Sequence, residues 1–215
     1  MRGPIYTVAL CMAAAWICAV LLGTNAQAQK HVQKSDDTTL FNPALRAELL
    51  DRAAKDQEIR DELTKKGLQN PDPVLIQRMQ DIDSENTEWM AVTIRRYQWP
   101  GPDLVGKDGV EAAFLLVQHA DLDFQKEVYP IVKEAYKAGL LPGSDYAMLL
   151  DRVLVGQGRP QVYGTQAQFN GTEPVLAPIQ DQANVDKRRA EVGLPPLAEY
   201  LESLKKLYPH EEKPK

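Results

Sequence analysis

The chain has 215 residues, with 25 Lys plus Arg against 30 Asp plus Glu, 44% apolar and 26% charged residues, the composition of one ordinary globular domain. A net charge of -5 argues against a dedicated nucleic-acid binder, which would carry a strongly basic face. The mix of residue types excludes low-complexity and collagen-like chains.

The first 28 residues read as an export signal. Arg2 is followed by an uncharged apolar run from Ile5 to Gly23 and then by Ala26-Gln27-Ala28, the order a signal peptidase accepts. This predicts cleavage before Gln29 and a periplasmic or secreted protein with no membrane attachment. An uncleaved anchor is the alternative, because the run approaches the roughly 20 residues that cross a bilayer. Ala26 and Ala28 favour cleavage. The only two cysteines, Cys11 and Cys18, fall inside the removed segment. The mature chain therefore has no disulfide, thiol chemistry or cysteine metal site.

Gln29 to Thr39 is polar and aperiodic, a flexible leader before a single mainly helical domain spanning 40–208 and a polar tail at 209–215. Asn42 and Pro43 open a first helix over Ala44 to Lys66, whose apolar stripe is Leu45, Leu49, Ala53, Ile59 and Leu63 and whose stop is Gly67. Asn70-Pro71-Asp72-Pro73 is a turn. A second helix from Val74 to Tyr97 lies antiparallel to the first. Trp99 to Gly106 reads as a non-helical loop, with two prolines and two glycines. Helix resumes near Asp108, and the apolar stretch Val110 to Ala120 suits a central helix buried on several sides. A helix from Phe124 to Ala138 carries Pro130, and Ser144 or Asp145 caps one ending at Gly156. From Gln161 the period loosens, and Asn170-Gly171 marks a small β-hairpin between about 161 and 178. Short helices from Asn184 or Asp186 to Val192 and from Pro195 to Leu207 close the domain.

Several polar residues sit where the apolar pattern says the chain is packed: Gln118, His119, Asp121, Gln125, Asp151, Arg152, Gln161, Tyr163, Gly164, Thr165, Gln166, Arg188 and Arg189. A helix running through Asp121 would put Gln118, Asp121 and Gln125 on one face. Buried polar groups need partners, so a network joining the neighbourhoods of positions 118, 151 and 163 is expected. With only three histidines, two of them (His31 and His210) in polar end segments, a multi-histidine zinc site is not available. Nucleotide loops and hydrolase elbows have no motif. Neither a cofactor nor a metal site is predicted.

The order Trp99-Pro100, Gln118-His119-Ala120-Asp121, Gln125, Asp151-Arg152, Gln161-x-Tyr163-Gly164-Thr165-Gln166, Arg188-Arg189 and Tyr200 resembles a bacterial family classed as a domain of unknown function, over about residues 75 to 202. The resemblance implies a shared fold and polar cluster and carries no reaction with it. The family's usual glycine before Trp-Pro is Gln98 here.

Two functions are open. One is a binding or structural module whose polar cluster fixes the hairpin on the helices, its partner a small molecule or a protein. The other is a small acid/base enzyme in which His119 carries the proton, Asp121 or Asp123 orients it, and Arg152 with Gln166 positions substrate. Gln118, Gln125, Asp151, Gln161, Tyr163, Gly164 and Thr165 complete the candidate ligand-binding set. The alternative for Asp151 and Arg152 is a structural ion pair, or a separate partner for each, because adjacent helical residues point about 100° apart.

Overall fold

The computed structural model describes residues 41–66, 71–170 and 173–207. The export signal, the leader, Gly67, Asn70, Gly171 and the polar tail lie outside the described residues. From Phe41 onward the chain forms one unit.

Asn42 starts the first helix by accepting a hydrogen bond from Leu45 N (3.0 Å). Helix α1 spans Pro43–Lys66 and buries Leu45, Leu49, Ala53, Ile59 and Leu63. Helix α2, Pro73–Tyr97, is capped by Asp72, whose carboxylate accepts from Val74 N, and buries Leu75, Met90 and Ile94. The polar cross-links Arg52 to Asn86, Arg60 to Asp83 and Lys66 to Asp72 run in descending register, so the two helices are antiparallel as expected.

The loop expected over Trp99 to Gly106 is shorter than predicted. Helix α3 spans Pro102–His119, interrupted at Gly106 (φ 73°, ψ 169°). Pro102 sits at the first helical position, where a missing N–H costs nothing, so a helical turn forms before Gly106 redirects the chain. Beyond the kink Val110, Ala113, Phe114, Leu116 and Val117 are buried, which makes α3 the central helix. Each such large apolar side chain contributes about 1.5–3 kcal/mol.

Helix α4 spans Leu122–Lys137 and accommodates Pro130 internally; α5 spans Gly143–Gly156. Ser144 and Asp145 lie inside the first turn of α5 rather than at its cap, a position held by Pro142. The hairpin is smaller than predicted. Strand β1 (Ala167–Asn170) pairs antiparallel with β2 (Glu173–Leu176) in the register Ala167 to Leu176 through Asn170 to Glu173. Gln161 lies outside the ladder and pairs with the return by an isolated parallel bridge to Ile179. A 3-10 turn (Gln182–Asn184), α6 (Val185–Glu191) and α7 (Leu197–Leu207) complete a mainly α fold.

Candidate functional site

Two buried polar clusters emerge. The first is built around Asp151 on α5, which is fully buried. Its carboxylate accepts from Val162 N (2.7 Å), Tyr163 N (3.1 Å), Thr165 N (3.0 Å) and Thr165 Oγ1 (3.0 Å). These donors converge because Gly164 takes φ 71°, turning the backbone amides of the Tyr163 segment inward. A Cβ at Gly164 would lie 2.9 Å from Leu197 Cδ1. Gly164 therefore packs closely against the side chains of Leu197 and Ile179.

The same segment is held from its other side. Gln161, fully buried, donates through Nε2 to the carbonyls of Gln166 (2.9 Å) and Ala177 (2.8 Å) and accepts from Gln166 N (2.8 Å). Arg189, also fully buried, donates to the carbonyls of Pro195 (2.6 Å) and Tyr163 (2.7 Å) and lies over the Tyr200 ring. Burial pulls its pKa down from the usual arginine range. Arg188 reaches the Val162 carbonyl (2.9 Å), and Tyr200 donates to that of Thr165 (2.8 Å). Tyr163 is half-buried, and burial pushes its hydroxyl up to about 12. The partners of Asp151 in this segment are three backbone N–H groups and a hydroxyl.

The second cluster contains His119 at the end of α3. Its Nδ1 lies 2.8 and 2.9 Å from the two carboxylate oxygens of Asp56, on α1. The carboxylate that orients His119 is thus Asp56, not Asp121 or Asp123. Asp121 is instead the N-cap of α4, accepting from Phe124 N (2.8 Å), because the chain leaves the helix at Ala120. Asp123 is exposed and pairs with Lys126. The break also separates the expected face: Gln125 turns back to donate to the carbonyls of Val117, Gln118 and Ala120 (3.0–3.2 Å), capping α3. Gln118 is buried and its Nε2 has no partner among the described residues.

Around Asp56 the network extends through α1 and α2. Arg60 donates to Asp56 (2.9 Å) and makes a bidentate pair with Asp83 (2.8 and 2.9 Å), while Gln57 donates to Asp56 (2.8 Å). Burial pushes the Asp83 carboxyl up to about 6, with Asp56 adding to the effect and Arg60 opposing it. Burial also raises Asp56, but His119 and Arg60 outweigh it and hold it below the usual carboxylate range. Burial pulls the His119 imidazole down, aided by the positive charges of Arg60 and Arg152 and opposed by Asp56. At neutral pH the ring is therefore uncharged with its proton on Nδ1, donated to Asp56, and the lone pair stands on Nε2.

Asp56, Asp83 and His119 each offer a ligand atom, all within 4.8 Å of one another, the donor set of a divalent-cation site. Arg60 stands between the two carboxylates and neutralises them, so these residues do not fit a cation unless the guanidinium leaves.

The expected meeting of three neighbourhoods divides: positions 151 and 163 join directly, while position 119 pairs with Asp56. Asp56, Arg60 and Asp83 were not among the candidates. Their signal was present in the apolar stripe of α1, which jumps from Ala53 to Ile59 and leaves Asp56 in register between them.

Fold and site together define a mainly helical domain with an Asp-anchored loop and a separate histidine–carboxylate network. The chain belongs to the family of unknown function DUF6624, whose family model matches residues 43–213. No curated protein and no solved structure matches it.

Proposed function

We propose that this is an exported binding module in which the interior polar residues serve the fold and recognition takes place on the helical surface. The observation that carries the reading is Asp151: four donors occupy its carboxylate, so the Tyr163 to Gln166 segment is bound to its own protein rather than offered to a ligand. Export rests on the sequence of residues 1–28 alone.

A second reading has its own support. His119 has the neutral, carboxylate-oriented form of a general base, and no group among the described residues hydrogen-bonds Nε2. Thermal unfolding of His119→Gln separates the two. A structural histidine leaves Asp56 short of a buried donor when replaced, lowering the midpoint by about 4–8 °C for a loss near 2 kcal/mol. A midpoint equal to the parent's would turn the assignment toward the enzyme. N-terminal sequencing of the exported protein should begin at Gln29; a retained Met1 would refute the cleaved signal.

A further inference from the structure

We propose that Tyr129 and Tyr146 form an oxidative cross-linking site, at which a peroxide-derived one-electron oxidant joins the two rings as dityrosine and ties α4 to α5. Tyr129 lies on α4 and Tyr146 on α5. Their hydroxyls are 3.3 Å apart and share a hydrogen bond, their ring centroids stand 6.1 Å apart, and the ring planes are inclined by 22°. Tyr136, also on α4, stacks on Tyr146 with centroids 4.7 Å apart and planes 9° from parallel. Tyr146 is buried, whereas Tyr129 and Tyr136 are half-buried and give an oxidant access to the group. Cys11 and Cys18 are the only cysteines, so within residues 29–215 no disulfide can do the same work.

The paired hydroxyls decide which rings join. Removing one electron from a phenol and passing its proton to water leaves a phenoxyl radical, whose unpaired electron resides on the oxygen and on the ring carbons ortho and para to it. The para carbon already bears the rest of the side chain, so a new bond falls to an ortho carbon, the Cε beside the hydroxyl. Hydroxyls held together bring the hydroxyl-bearing ends of Tyr129 and Tyr146 side by side, and rotation about χ2, a broad torsion in tyrosine, completes the approach. Tyr136 meets Tyr146 face to face instead, which spreads the charge of an oxidised Tyr146 without presenting an edge for coupling. Once both radicals have formed, a Cε–Cε bond joins the rings and the hydrogen displaced from each Cε returns to oxygen through water. The pair has then lost two electrons and two protons in all, and one molecule of hydrogen peroxide takes these up to give two molecules of water.

Photo-oxidation of the purified chain at low concentration, with tris(bipyridine)ruthenium and persulfate as the oxidant, tests this, and peptide mapping by mass spectrometry reads the product. The parent should gain dityrosine fluorescence and yield one intramolecular peptide pair, joined through Tyr129 and Tyr146 and lighter by two hydrogens. Tyr129→Phe should lose both signals. Tyr136→Phe, which keeps the paired hydroxyls, should retain them. Each replacement removes only a hydroxyl, and circular dichroism checks that the variants are folded; the map of the parent tests the site even where a variant is not. Cross-links found only between separate chains, a linkage between Tyr136 and Tyr146, or fluorescence in Tyr129→Phe equal to the parent's would each overturn the proposal. The cross-link forms whether His119 is structural or catalytic, so its absence leaves the binding-module reading in place.

Discussion

Asp151 shows what a single carboxylate can do once the chain has wrapped around it. Replacing it with Asn keeps the shape but sets an amide donor against backbone N–H groups that can only donate. The expected loss is about 3 kcal/mol, read from urea midpoints; a variant as stable as the parent would show that the four contacts carry little weight. Asp145 is a different case, buried with only the Ser144 hydroxyl (3.2 Å) as a hydrogen-bond partner among the described residues. Burial pushes its carboxyl up to about 7 from an ordinary 3.8, with Glu111 adding to the effect. Between those values the folded chain holds a proton that the unfolded chain has lost. The contribution of Asp145 to stability is therefore complete below about pH 4 and is lost as pH rises toward 7, by on the order of 4 kcal/mol. Asp83 and Asp151 shift in the same direction and His119 acts the opposite way, so Asp145→Asn removes only the share that Asp145 contributes. Denaturation midpoints of parent and Asp145→Asn at pH 4, 5.5 and 7 measure this, and a variant whose pH dependence equals the parent's would contradict the assignment.

At the scale of elements, side chains from one segment finish the ends of another. Gln125 of α4 closes three carbonyls at the end of α3, so Gln125→Leu should cost about 2 kcal/mol and fray that end, visible as faster amide exchange in the preceding turn. Close approach of backbones is the other device. A Cβ on Gly143, in the first turn of α5, would stand 2.8 Å from the Val192 carbonyl after α6. Gly143→Ala is expected to lose about 1–3 kcal/mol in thermal unfolding, since a backbone oxygen cannot rotate away as a side chain would. An unchanged melting curve would mean that α6 shifts freely against α5. Helix extents were legible in the sequence because caps, prolines and apolar spacing act locally. The central helix ends at Ala120, where its apolar run ends, but the helical turn before Gly106 was harder to read: it survives two neighbouring prolines, an outcome that depends on what the neighbouring segments bond to.

For the whole molecule, the mainly helical class, the antiparallel α1 and α2, the buried central helix and a small hairpin were all determined by local chemistry. Apolar periodicity and turn residues encode them within a few neighbours along the chain. The polar candidates were legible as a set, because hydrophilic side chains in apolar stretches must find partners. Which partners they find was decided only by tertiary packing. His119 meets Asp56, 63 residues away, rather than the carboxylates two and four positions along, and Arg60 spans from Asp56 to Asp83 across two helices. Pairing over such separations is set by how the helices lie against one another, and a reading of neighbouring residues carries no information on that geometry.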